Sequence, residues 1–264
     1  MTTAIGQYLW LGVTLTRRDL AQRYRGTVLG AIWPFLYAAL LLAVFTFVFS
    51  VVLKVRWSGG QDSHPGFGAL MIFAGMVPYL FVSEILVRAP AAIVSMPNFV
   101  KKIRFPLPLL PKIVVLSALI VMAINSTILL VAIALTGHGP GPRALLLPLA
   151  FVPLLLMGTG LSLLLAALGV FFRDLTQFAP LLAQLLMFLA PVCYPADAVP
   201  PAFQAVLGWN PLTWFVDTFR ALLLDASPVP AATQWLAQLA GWTAFALLGY
   251  WFFRRTQRMF ADLL

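Results

Sequence analysis

The groups in this chain that could do chemistry are few and far apart. Its two histidines, His64 and His138, fall in different polar loops, with no partner at metal-ligand or nucleophile–base spacing. No lysine follows a glycine, so the Gly-Lys-Ser/Thr loop that cradles nucleotide phosphates is missing. A membrane-embedded hydrolase or transferase needs a pair of carboxylates or histidines near the surface, and the acids here are scattered singly. Glu84 is the one acid inside a long apolar stretch, one helical turn from Arg88. That spacing predicts an ion pair at the end of the stretch, with a proton carrier as the alternative. Asn125 and Gln184 fall in mid-stretch and read as hydrogen-bond partners between helices. Cys193 is the single cysteine, so no disulfide can close within one chain, and it reads as a small buried apolar residue.

What surrounds these residues is almost entirely apolar. Of 264 residues, 62% are hydrophobic and 9% charged, too little polar surface to cover a water-soluble domain of this length. The net charge of +9 would suggest nucleic acid in a soluble protein. Here the bases sit at the ends of apolar stretches and form no stripe with aromatics, so nucleic acid is excluded in favour of a lipid bilayer. A spanning helix takes about 20 mostly apolar residues. Six stretches qualify: 28–53, 67–87, 113–136, 144–172, 175–194 and 235–253. The expectation is a single all-α transmembrane domain over 1–264.

Loop charges give the orientation. Arg17, Arg18, Arg23 and Arg25 precede the first stretch; Arg88, Lys101, Lys102, Arg104 and Lys112 follow the second; Arg173 follows the fourth; Arg254, Arg255 and Arg258 follow the last. The alternate loops hold only Lys54, Arg56, Arg143 and Arg220, together with Asp62, Asp197, Asp217 and Asp225. The asymmetry predicts both termini on the cytoplasmic side. Met1–Leu15 lacks a basic leading region, so no cleavable signal is expected.

Three segments fit neither a span nor a plain loop. Residues 4–26 have an apolar first half (Ile5, Tyr8, Leu9, Val13) and a basic second half, predicting an amphipathic helix in the interface; a free tail is the alternative. Residues 95–105 place Phe99, Ile103 and Phe105 among three bases. They predict a short helix capped by Ser95 and ended by Pro106, which fits a partner's groove or lies on anionic lipid. Residues 196–228 are broken by Pro200, Pro201, Pro211 and Pro228 into two short external helices, the second capped by Asn210 ahead of Pro211. It contains Asp217 and Arg220 and is too short to cross, so the pair either dips back into the outer leaflet or lies at headgroup level. The first stretch also carries Trp33, Phe35, Tyr37, Phe45, Phe47 and Phe49, faces on which sugar rings stack, although lipid contact and helix packing use the same residues.

Several of these residues resemble a known family. Arg17-Arg18-Asp19-Leu20, Arg23-Tyr24-Arg25-Gly26, Leu29-Gly30, Trp33-Pro34 and Phe45-Thr46-Phe47-Val48-Phe49 are similar to the N-terminal signature of the transmembrane (permease) subunit of type-2 ABC exporters. The branch they look most like exports O-antigen and teichoic-acid polysaccharides. Lys101-Lys102-Ile103-Arg104-Phe105-Pro106 resembles its coupling-helix region, and Asn210-Pro211-Leu212-Thr213 with Phe215 and Arg220 the motif before its last span.

The resemblance implies a channel of two copies of this chain. Beneath it would dock two copies of a separate ATPase, which would bind ATP and Mg, with no cofactor in this chain. The ATPase would meet Arg17, Arg18, Asp19 and Arg23 of the interfacial helix and Pro97, Asn98, Phe99, Lys101, Lys102, Ile103 and Arg104 of the coupling helix. Trp33, Tyr37, Phe45, Phe188 and Tyr194 would line the channel. Asn210, Pro211, Trp214, Phe215, Asp217 and Arg220 would belong to an external gate. The cargo would be a glycan on undecaprenyl diphosphate, moved outward across a bacterial inner membrane. Exporters of drugs and lipo-oligosaccharides share the Asn210–Thr213 region, and Arg25-Gly26 through Trp33-Pro34 fits the O-antigen type better than the capsule-export branch; capsule, lipo-oligosaccharide or drug cargo is the alternative, and a channel or secondary carrier working alone is the reading from another class.

Overall fold

A computed structural model describes residues 2–52, 66–101, 105–136, 141–226 and 228–263. Lys54, Arg56, Asp62, His64, Lys102, Ile103, Arg104 and His138 lie outside the described residues, as do the side chains of Ile5, Leu9, Phe49, Lys101 and Asp197.

All described elements are helical. Four are long and apolar enough to cross a membrane by length and composition. They are α3 (Phe67–Arg88), α6 (Leu109–Leu135), α7 (Leu147–Phe171) with its 3-10 lead-in from Pro142, and α11 (Ala232–Thr256) with its continuation to Leu263. Two further apolar helices, α2 (Trp33–Phe45) and α8 (Leu175–Leu189), are shorter.

Local chemistry explains why α2 and α8 fall short of the stretches expected at 28–53 and 175–194. Gly26 and Gly30 take positive φ (84° and 49°), which an α-helix cannot continue through, so the chain makes a 3-10 turn and α2 begins only at Trp33, with Pro34 in its first turn. At the other end the helix widens into a π-helix over Thr46–Val52, where the Thr46 hydroxyl donates back to the Leu42 carbonyl at 2.8 Å. Helix α8 stops because Ala190 precedes Pro191 and is held extended at ψ 150°.

Helix α3 is central. α2, α6, α7, α8 and, from the far end, α10 (Pro211–Leu224) pack against it. The main core joins Phe73 and Phe81 of α3 to Met122 and Leu129 of α6, Leu154 of α7, and Phe215 and Phe219 of α10. Helix α11 is carried almost wholly by α7. The two meet at Gly160 and Gly249, where a Cβ on Gly249 would stand 2.6 Å from the Gly160 carbonyl oxygen. Such small residues let two apolar helices approach closely where the hydrophobic effect provides little drive.

A second, smaller core forms at the basic end, where α3, α7 and α11 finish and α6 begins. Helix α1 (Thr2–Arg23) lies there against α6. Tyr8, Leu11 and Leu15 face the core with Gly12 and Thr16, whereas Val13 is exposed, so the buried stripe is rotated from the one composition suggested. Within the segment expected to be a helix over 95–105 the described residues form α5 (Pro97–Lys101), and a separate short helix, α4 (Ala91–Val94), precedes it. Ser95 closes α4, its N–H donating to the Ala91 carbonyl at 2.9 Å, and stands one residue before Met96, the position that would cap α5. At the far end α9 (Pro201–Trp209) precedes α10. There Asn210 Oδ1 accepts from the Leu212 N–H at 2.9 Å, the cap read from the sequence.

Candidate functional site

At the basic end a closed circuit of charge ties α1 to the transmembrane core. The chain places an acid one turn before a base twice: Asp19–Arg23 on α1 and Glu84–Arg88 on α3. Each pair forms within its own helix, at 3.3 Å and 3.1 Å. The pairs also cross: Arg88 Nη2 donates to Asp19 Oδ1 at 2.7 Å, and Arg23 bonds Glu84. Ser117 of α6 donates its hydroxyl to Asp19 Oδ2 at 2.7 Å. Two acids thus meet two bases, and three helices are joined. The four charged side chains are 15–28% exposed, so the pairs are better shielded than surface ion pairs but still reach solvent. The Glu84–Arg88 pair was legible from spacing. Its partners on α1 were not, because only the tertiary contact brings residues 19 and 84 together.

Beside this circuit lies a groove of about 430 Å³. Arg18 and Asp19 line it from α1, Ser95 and Met96 from the link between α4 and α5, and Phe99 from α5, so the structure brings two of the sequence-predicted segments to one surface. Phe99 meets Phe105 edge to face, with ring centroids 4.8 Å apart. Arg17, Arg18, Pro97 and Asn98 are exposed along its margin.

At the far end α10 is pinned into the protein by Arg220. Its Nε donates to the Met71 carbonyl at 3.0 Å and its Nη2 to the Val192 carbonyl at 2.7 Å. Arg220 is 4% exposed, and room for it is made by Gly75 of α3, whose missing Cβ would stand 3.0 Å from the guanidinium. Phe215 is fully buried between the rings of Trp214 and Trp242. Phe215 and Arg220 therefore anchor the helix, and Arg220 also reaches the wall of the neighbouring cleft. Asn210, Trp214 and Asp217, with exposed Trp209, line a cleft of about 880 Å³ between α9, α10 and the start of α11. Two polar atoms at this cleft, Thr213 Oγ1 and Trp214 Nε1, are buried without a hydrogen-bond partner.

Three of the remaining aromatic candidates stand on the outer faces of the two short helices, whereas Phe45 packs against the main core and Tyr194 follows the end of α8. Trp33 and Tyr37 are exposed on α2 and Phe188 on α8, while Phe45 and Tyr194 are half-buried. The Tyr194 hydroxyl donates to the Phe188 carbonyl at 2.9 Å, which folds the chain after α8 back onto its end.

Three relatives share most of this chain. It is 31% identical over 232 residues to the O-antigen export system permease protein RfbA of Myxococcus xanthus, covering 85% of this chain and 86% of that one. It is 24% identical over 228 residues to RfbA of Klebsiella pneumoniae, with 84% and 83% covered. It is 22% identical over 208 residues to the polysialic acid transport protein KpsM of Escherichia coli, with 78% of each covered. Residues 12–224, from the middle of α1 to the end of α10, match the model of the ABC-2 type transporter, and this multi-pass membrane protein belongs to that family.

Proposed function

We propose that the chain is the permease subunit of an ATP-driven exporter that moves a lipid-linked, O-antigen-like polysaccharide outward across a bacterial inner membrane. The observation that carries this reading is the similarity to the Myxococcus xanthus permease over 85% of the chain. In this reading α2, α3, α6, α7, α8 and α11 are the six crossings, both termini are cytoplasmic, and α9 and α10 re-enter the outer leaflet. A second copy covers α2 and α8. Each of these helices buries only two residues within one chain and turns aromatic and aliphatic side chains outward, which supports a partner on that side. The glycan passes between the copies along Trp33, Tyr37 and Phe188. The polysialic acid transport relative makes a polysialic-acid-like polymer the second reading of the cargo.

ATP hydrolysis belongs to a separate chain, since this one carries no Gly-Lys-Ser/Thr loop. That ATPase, loaded with ATP and Mg, docks at the groove between α1 and α5. Its displacement is passed to α3 through the Asp19, Arg23, Glu84 and Arg88 circuit, and α10 with Asp217 moves in response at the far end. Deleting the gene should abolish the surface glycan while lipid-linked glycan accumulates inside, and both should be restored only when the chain and its ATPase are expressed together. Export that persists without any ATPase subunit would sink the reading.

A further inference from the structure

A second cleft at the basic end, about 610 Å³ in volume, belongs neither to the α1–α5 groove nor to the outer faces of α2 and α8. It opens where α6 begins and α11 ends, and α1 closes one side. Three cations line it: Lys112 in the first turn of α6, Arg254 in the last turn of α11, and Arg258 just beyond. Among the described residues no carboxylate pairs with any of them, whereas Arg23 and Arg88 of the neighbouring circuit each have two. Lys112 Nζ instead sits 5.8 Å from the ring centroids of both Tyr8 and Tyr250, and the Arg254 guanidinium 6.0 Å from that of Tyr250. Burial pushes the Tyr8 phenol up, so it adds no negative charge. The cleft is left with positive charge and aromatic faces and without an anion.

Its position supplies the rest. Leu247, Trp251, Arg254 and Arg258 succeed one another at helical spacing, so one stripe of α11 runs from apolar to basic. Leu247 and Trp251 are 63% and 62% exposed on a helix long and apolar enough to cross the membrane. An anion bound at Lys112 and Arg254 therefore lies at the end of an apolar track as well as in a basic pocket. A free phosphate would use only the pocket; an amphiphile would use both.

We propose that this cleft holds the phosphate of an anionic membrane lipid, with its acyl chain along the exposed stripe of α11. The inference needs only that the chain is inserted in a bilayer, and only its polyprenyl outcome would bear on the proposed cargo. The lipid phosphate comes from a bulk glycerophospholipid or from a polyprenyl phosphate carrier, and the two are separable by experiment. The full chain, purified with its ATPase and depleted of lipid, is titrated with phosphatidylglycerol, phosphatidylcholine, undecaprenyl phosphate and inorganic phosphate. Native mass spectrometry counts bound lipid, and thermal midpoints report stabilisation.

The wild type should retain phosphatidylglycerol, undecaprenyl phosphate or both in preference to phosphatidylcholine, and whichever binds more tightly names the source. The triple substitution Lys112→Gln, Arg254→Gln and Arg258→Gln should weaken retention roughly a hundredfold, since each base near the membrane surface contributes about fivefold. Lys112→Gln alone should weaken it about fivefold, which keeps the test usable if the triple variant does not fold. Arg143→Gln, a base lost at the far end, should leave retention unchanged. Equal retention by wild type and Lys112→Gln, no preference over phosphatidylcholine, or stabilisation by inorganic phosphate as strong as by lipid would each overturn the proposal.

Discussion

Arginine is kept from water at both ends of this protein, by different means. At the basic end Arg23 and Arg88 meet the side-chain carboxylates of Asp19 and Glu84, across a joint of three helices that solvent still reaches. At the far end Arg220 is 4% exposed and meets backbone carbonyls of α3 and of the chain after α8. Side chains can swing and re-pair as helices slide, and backbone carbonyls of packed segments cannot. In the exporter proposed above, the first arrangement would serve as a joint that transmits motion and the second as a pin that fixes α10 to the body it moves with.

The sharpest way to break that contrast is to remove the pin. Arg220→Ala leaves the Val192 carbonyl without its donor in a buried site, at about 1–3 kcal/mol, returns the Met71 carbonyl to its bond within α3 alone, and opens a void where the guanidinium lay. The expected loss of roughly 3 kcal/mol or more should appear as a large fall in thermal midpoint in detergent, with α10 becoming protease-sensitive. Arg220→Lys should recover little, because a single ammonium cannot reproduce the planar two-way donation of the guanidinium. A lysine variant as stable as the wild type would show that burial, and not the carbonyl clamp, holds the helix.

The joint should break more gently and in a way that depends on salt. A double-mutant cycle on Asp19→Asn and Arg88→Gln should return a coupling of about 1–2 kcal/mol, larger than for an exposed pair. Because the four side chains reach solvent, part of that coupling should fade at high ionic strength. Either single substitution should depress export more than it depresses stability, with ATP turnover partly retained. A coupling near zero would reduce the circuit to surface charge.

How much of this was legible in the sequence follows from the range of each interaction. The Glu84–Arg88 pair and the Asn210 cap are local, set within four residues, and both appear in the structure. The apolar stretches over 67–87 and 235–253 lie within helices Phe67–Arg88 and Ala232–Thr256, because unbroken apolar runs leave the backbone one way to satisfy itself. Uncharged runs did not reveal the short α2 and α8, whose ends depend on Gly26, Gly30 and Pro191. The Asp19–Arg88 contact and the burial of Phe215 and Arg220 were invisible, since nothing local separates an arginine that faces a gate from one that anchors it. The basic cleft was likewise split between residues 8, 112 and 254, which read separately as interface and loop charge.

The Asn210 cap tests the same far end at smaller scale. Asn210→Ala should cost about 1 kcal/mol, because the Leu212 N–H loses its acceptor while the helix keeps its packed face. Asn210→Asp should be close to neutral, the carboxylate accepting as well and sitting favourably at a helix N-terminus. If Asn210→Ala instead matched Arg220→Ala, the hold on α10 would lie in its first turn rather than in its arginine.

The smallest effect is expected at a fourth arginine, which shows what an ion pair is worth here without burial. Arg143 Nη1 lies 2.9 Å from Asp225 Oδ1, a shorter distance than two of the contacts in the basic-end circuit. Its side chains, however, are 46% and 56% exposed. Water screens the attraction, and both chains lose rotamer freedom to form it, so Arg143→Ala should cost less than about 1 kcal/mol and little of that should remain in high salt. Asp225 also closes α10 at φ 49°, a conformation that aspartate tolerates and bulkier residues do not, so the test removes the base and leaves the acid in place. Should Arg143→Ala prove as costly as breaking the Asp19–Arg88 pair, then distance and not shielding sets the strength of these pairs, and the distinction between pin, joint and surface contact fails.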